Sequence, residues 1–188
     1  MAEIGPVEFT SATNASTGDD QWGSITNVLT GTGTRATSTG KDAEVSYIAK
    51  ITNAATALAA IGDTDPVTGI EFEVMRGAED DEIYNNLVRL YVAGSLSGTA
   101  KTSTNSGAWE YGSPPETVTF GGPGDVWGLS SPTGATVKNT GFGIGIQALL
   151  DGRSDTDAYL YRVRVKIYYT ASGGGGGNTA NGMFVLAK

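Results

Sequence analysis

The run AYLYRVRVKIYYT at residues 158–170 constrains this chain more than any other stretch. Side chains alternate between the two faces of an extended strand. Tyr161, Val163, Val165, Ile167 and Tyr169 therefore fall on one face, and Arg162, Arg164 and Lys166 on the other. Two apolar-rich strand patterns upstream are available to pair with it. The run is read as the central strand of a β-sandwich.

The remaining composition agrees with that reading. At 188 residues the chain is long enough to bury a substantial core without disulfides or metal, in one domain or one domain with appendages. Twenty-eight glycines and only 17% charged residues suit short strands joined by many turns. The net charge of −8 argues against a nucleic-acid partner, which calls for clustered Lys and Arg. The chain has no cysteine and no histidine, so thiol chemistry, the familiar nucleophile triads, the commonest general base and the usual zinc ligand are all absent. The N-terminus lacks a basic segment followed by an apolar run. The longest apolar stretch, residues 54–61, is too short to span a bilayer. The expectation is a soluble β-rich domain without a visible active site, with no cofactor, no nucleic acid and no membrane; a Ser-Lys dyad or a converging pair of carboxylates stays open on the residues alone.

In chain order, residues 1–42 are rich in Thr, Ser, Gly and Asn, with isolated apolar positions at Ile4, Val7, Phe9, Trp22, Ile25, Val28 and Leu29. This segment is an N-terminal arm or a set of edge strands. Asn14-Ala15-Ser16 matches the glycosylation tripeptide but follows no secretion signal, and is assigned to chance. Residues 43–52 alternate weakly as a strand. Residues 54–61 favour one or two helical turns, or a loop capping one end of the sandwich. In residues 68–76, Ile70, Phe72 and Val74 point in while Glu71 and Glu73 point out. If this strand lies antiparallel beside 158–170, its acidic face meets the basic one.

Residues 77–86 read as an acidic loop, 87–93 as a strand, 94–107 as a Gly/Ser/Thr loop, 116–120 as a short strand and 121–124 as irregular loop. In residues 141–149, Phe142, Ile144 and Ile146 form one face, and Gly141, Gly143 and Gly145 leave the other bare. A backbone or an aromatic ring is expected close against that bare face. These patterns amount to seven or eight strands and an all-β fold. The fold is an antiparallel, jelly-roll-like β-sandwich body over 43–172, with an extended N-terminal arm and a glycine-tethered C-terminal tail over 173–188.

Candidate chemistry is sparse. The glycines at 141, 143 and 145 fail the dinucleotide fingerprint, because Ile146 stands where the third glycine belongs and no helix follows. The clusters Glu79-Asp80-Asp81-Glu82 and Asp151/Asp155/Asp157 supply oxygen ligands of the kind calcium takes, but neither has EF-hand spacing, and no metal is assigned. Trp22, Trp109 and Trp127 are either a sugar-stacking platform or core. The tail is more telling. Met183, Phe184, Val185 and Leu186 form an apolar patch beyond Gly173–177, a pentaglycine run that spans up to about 17 Å when extended. Such a patch is read as docking on a neighbouring subunit, with a final edge strand of the same domain as the alternative.

From residue 51 to residue 170 the order of elements resembles a family of β-sandwich structural proteins of tailed bacteriophages and prophages. The matching pieces are GIEFEV (69–74), LVRLY (87–91), AW (108–109), VTFGGPGDVWGL (118–129), NTGFGI (139–144) and RVRVKIYYT (162–170). The resemblance implies a virion component: a capsid decoration (cement) protein, or alternatively a tail or baseplate module. A carbohydrate-binding or adhesion sandwich is the alternative from another class. On the leading reading the protein is made in the host bacterial cytoplasm and sits on the capsid surface. Its partners there are the major capsid protein and copies of itself, as a homotrimer.

Overall fold

The computed structural model of the chain describes residues 1–172 apart from 32, 42, 105, 113, 153 and 154. The described strands are β1 (Ala2–Glu8), β2 (Ser11–Ala15), β3 (Ala36–Gly40), β4 (Glu44–Val45), β5 (Ile48–Thr52), β6 (Val67–Ala78), β7 (Ile83–Val92), β8 (Ser95–Ser97), β9 (Glu116–Pro123), β10 (Gly143–Leu150) and β11 (Thr156–Tyr169). A 3-10 helix spans Ile25–Leu29, and a single helical turn, α1, spans Gly134–Val137. The strands form two antiparallel sheets packed face to face. Sheet one runs β1–β11–β6–β9 with β3 also on β11, and sheet two runs β2–β5–β10–β7–β8 with β4 also on β10.

The run that opened the sequence reading becomes β11, and it is central. β6 pairs with it on one side. On the other side two short strands lie end to end, β3 along 156–160 and β1 along 164–169. The acidic partner is where the alternation placed it: Glu73 lies opposite Arg164, and Glu71 opposite Lys166. One expectation changes. Tyr161 does not join the apolar row, because the pairing with β6 shifts register between Leu160 and Arg162. Before this bulge Ala158 and Leu160 point to the core, and after it Val163, Val165 and Ile167 do. A single extra residue reverses which parity faces in, and Tyr161 is left half-buried at the seam.

Within residues 1–42 the chain passes between the sheets: β1 lies in sheet one, β2 in sheet two and β3 in sheet one. Their isolated apolar residues supply the crossings, with Phe9, Trp22 and Val28 all buried in the core. Asn14 is committed structurally. Its side chain donates to the Trp22 carbonyl and accepts from the Trp22 N–H, each at 3.0 Å.

The strand expected over 43–52 is interrupted at Ser46 and Tyr47. The Ser46 hydroxyl accepts from the Ala148 N–H and donates to the Tyr47 carbonyl, which puts a kink between β4 and β5. The acidic loop is shorter than expected, only 79–82. β6 continues to Ala78, and β7 begins at the fully buried Ile83. The Gly/Ser/Thr loop contains the short strand β8, and β9 runs on to Pro123, past the expected end at Phe120. Residues 54–61 form turns, not a regular helix. Ala54, Leu58 and Ile61 are buried there and close one end of the sandwich.

The two sheets share one core. Phe72 of β6 stacks on Phe9 at 6.1 Å, meets Trp127 edge-on at 5.5 Å, and reaches across to Phe142 at 6.3 Å. Each such side chain contributes about 1.5–3 kcal/mol relative to exposure. The bare face of β10 is filled as the glycines implied. A Cβ on Gly145 would lie 2.9 Å from the Tyr91 ring, and one on Gly143 only 1.9 Å from the Ile51 carbonyl oxygen.

Candidate functional site

The tryptophans do not form a sugar platform. Trp22, Trp109 and Trp127 are at most 2% exposed, and each indole N–H has an internal acceptor. Trp22 donates to the Tyr47 carbonyl, Trp109 to the Asn85 side chain, and Trp127 to the Ile70 carbonyl at 3.0 Å. In a two-sheet core a flat indole with a single donor fills volume and satisfies a strand carbonyl at once. The GGPGDVWGL segment is built round that plug. Gly121 has φ +83, and a Cβ there would lie 2.6 Å from the Trp127 indole nitrogen. Asp125 accepts from the Trp127 N–H at 2.8 Å and pairs with Lys101 at 2.7 Å. The most specific motif in the chain is thus a packing device.

The two acidic clusters meet at one end of the sandwich. Asp80 accepts from the Thr156 hydroxyl at 2.5 Å and from the Glu82 N–H at 2.9 Å, while Asp157 accepts from the Thr39 and Tyr159 hydroxyls. These carboxylates are spent on loop geometry, and no group of three metal-ligating residues occurs among the described residues. No helix of the described residues is long and apolar enough to cross a membrane.

The sequence singled out Met183, Phe184, Val185 and Leu186 for docking; these lie outside the described residues. The stem that leads to them is described. β11 ends opposite the start of β1, with Tyr169 facing Ala2. Beyond it the Thr170 N–H donates to the Pro66 carbonyl at 2.9 Å and the Ser172 N–H donates to Asp65 Oδ1 at 2.8 Å. Asp65 is 6% exposed, and its other oxygen accepts from the Gly62 N–H. The N–H groups of Ser172 and Gly62 hold its carboxyl below its ordinary value of 3.8. The Gly62–Pro66 turn therefore anchors the chain at Thr170 and Ser172, the root of the tail.

At the opposite end of β11 lies a groove. Its floor is Tyr159 and Tyr161, with ring centroids 6.4 Å apart and nearly perpendicular. Both stand on the outer face of sheet one, beside the gap where β3 gives way to β1 on the edge of β11. Arg35, the residue just before β3, lies over the Tyr159 ring at 3.5 Å and donates to the Tyr161 hydroxyl at 3.4 Å. Burial and the Asp157 carboxylate push the Tyr159 phenol up to about 12, so it stays a neutral donor.

The groove has two adjoining hollows of about 420 and 360 Å³. Glu79 and Tyr111 line both; Asp80 and Asp81 complete the first, and Arg35, Ala78, Gly112, Tyr159 and Tyr161 complete the second. Tyr111 is 67% exposed and is held by a parallel bridge between its backbone and Ala78. The visible signals were the tyrosines two apart at 159 and 161, and Tyr111 just before the Pro114-Pro115 break. Their convergence with Arg35 is a tertiary fact. Comparison with family models, with curated proteins and with solved structures returned no match.

Proposed function

We propose that this chain is a non-enzymatic structural protein of a tailed-bacteriophage virion, a capsid decoration protein. On this reading the body is a scaffold made in the bacterial cytoplasm. Its C-terminal segment docks on neighbouring copies, as a homotrimer, and on the major capsid protein. The observation that carries the reading is the clamp of Ser172 on Asp65. It holds Ser172 in place, immediately before the five glycines and the apolar M-F-V-L segment of the sequence. A fixed root followed by a glycine-linked apolar segment suits intermolecular capture, because tethering raises the effective concentration of a docking segment near adjacent subunits. An apolar core shared by two sheets, in a chain with no His or Cys, suits a scaffold better than a catalyst.

The test compares the full chain with one lacking residues 178–188, by light scattering and by co-sedimentation with assembled heads. The full chain is expected to form an oligomer and to bind particles at a fixed copy number, and the truncated chain to do neither while melting at the same temperature. A full chain that is monomeric and absent from particles overturns the proposal.

A further inference from the structure

We infer that the groove between Arg35, Glu79, Asp81, Tyr111, Tyr159 and Tyr161 binds a short neutral oligosaccharide. This inference stands apart from the virion reading and holds wherever the body is displayed.

Three observations favour sugar rings over other ligands. Tyr111 lines both hollows and is largely exposed, so its ring is available to a ligand that occupies either of them. A pyranose offers an apolar C–H face that matches an aromatic face, and hydroxyls at its rim. Each hollow is of the size that holds small ligands, and together they suit a chain of a few rings.

The polar groups suit hydroxyls. Exposed Glu79 and Asp81 present carboxylates, which accept from hydroxyls more strongly than neutral groups do. The guanidinium of Arg35, already stacked on Tyr159, presents donors on the other side. Arg35 is outnumbered by Glu79, Asp80 and Asp81, so a polyanion is disfavoured.

An extended peptide is disfavoured because the backbone here is already paired. β6 pairs along one edge of β11, and on the other edge β3 pairs up to Leu160 and β1 from Arg164 on, which leaves between them a gap too short to seat a strand. Beside it the Ala78 N–H donates to the Glu110 carbonyl, the Ala78 carbonyl accepts from Gly112, and the Glu79 N–H donates to Asp157. A strand added by backbone pairing finds no ladder to join.

The experiment titrates the full chain with maltotetraose, cellotetraose, chitotetraose and mannotetraose, separately, by calorimetry up to about 10 mM ligand. At least one is expected to bind saturably. Tyr111→Ala and Glu79→Gln should each weaken that ligand by about tenfold or more without moving the melting temperature, as both side chains are exposed. Tyr111→Phe, which keeps the ring, should retain most of the affinity. Failure of all four sugars to bind overturns the inference, as does binding that survives both Tyr111→Ala and Glu79→Gln. Spermidine is titrated alongside, and saturable binding of it in place of the sugars also overturns the inference, in favour of a cation site.

Discussion

Arg164 Nη2 lies 2.5 Å from Glu73 Oε2, across directly paired positions of β11 and β6. On its other flank Arg164 faces Glu8 of β1. Burial raises the Glu8 carboxyl above its ordinary value, even though Arg162 and Arg164 pull it down. One guanidinium thus separates two carboxylates on the outer face of sheet one. Glu73→Ala should cost about 1 kcal/mol, the scale of a partly exposed pair. Arg164→Ala should cost more, because Glu8 and Glu73 then flank the site with no cation between them. Urea denaturation of both single variants and the double variant measures this, and an Arg164→Ala cost below that of Glu73→Ala would contradict it.

Arg76 continues the inward parity of Ile70, Phe72 and Val74 and is 2% exposed. Its Nε donates to Glu116 at 2.7 Å, its Nη1 donates to Asn85 at 2.6 Å, and it lies over the Trp109 ring at 5.1 Å. Glu116→Gln removes the countercharge from a buried cation and should destabilise the fold by about 3 kcal/mol. Thermal and chemical unfolding of this variant provide the check. Because the same cation holds the Trp109 indole, near-ultraviolet circular dichroism should change along with stability.

Gly143→Ala places a methyl where the Ile51 carbonyl oxygen already stands, 1.9 Å away, and both partners are backbone of paired strands. The cost should be about 3 kcal/mol or more, in lost pairing between β10 and β5. Gly107→Ala meets nothing within 4 Å and should change stability by less than about 0.5 kcal/mol. Equal melting temperatures for the two variants would contradict the packing described.

Asp65 supplies a pH dependence of known sign. Its folded-state value is depressed below 3.8, so the stabilisation it provides is present above that pH. It is lost as pH falls through the depressed value. Asp65→Asn should lower the melting temperature at pH 7, and the gap from the unsubstituted protein should close as both are taken below pH 3.8. A gap that widens in acid would reverse the assignment. The same variant should free the Ser172 N–H, which amide exchange at that residue reports.

The alternation of β11 and β6 was enough to expect an acidic face against a basic one if the two strands paired, while the register that sets Arg164 opposite Glu73 and Lys166 opposite Glu71 came with the fold. The glycine series on β10 was also legible, since a bare strand face must be filled by something else. Even Arg76 sat in the inward phase of its strand, although nothing local revealed its partners. What the sequence could not carry was every feature that depends on a change of neighbour.

The reversal at Tyr161 arises because β11 exchanges β3 for β1 on one edge while slipping register against β6 on the other. The tryptophans are ambiguous between platform and plug until two sheets close over them. The groove joins Arg35, Tyr111 and Tyr159, residues far apart in the chain, through loops whose composition says only that they turn. Side-chain alternation and charge within an unbroken stretch of strand are local properties, and the sequence determines them. Which strands share an edge, and which loops meet at its end, is decided by burying both sheets at once, and so belongs to the tertiary structure.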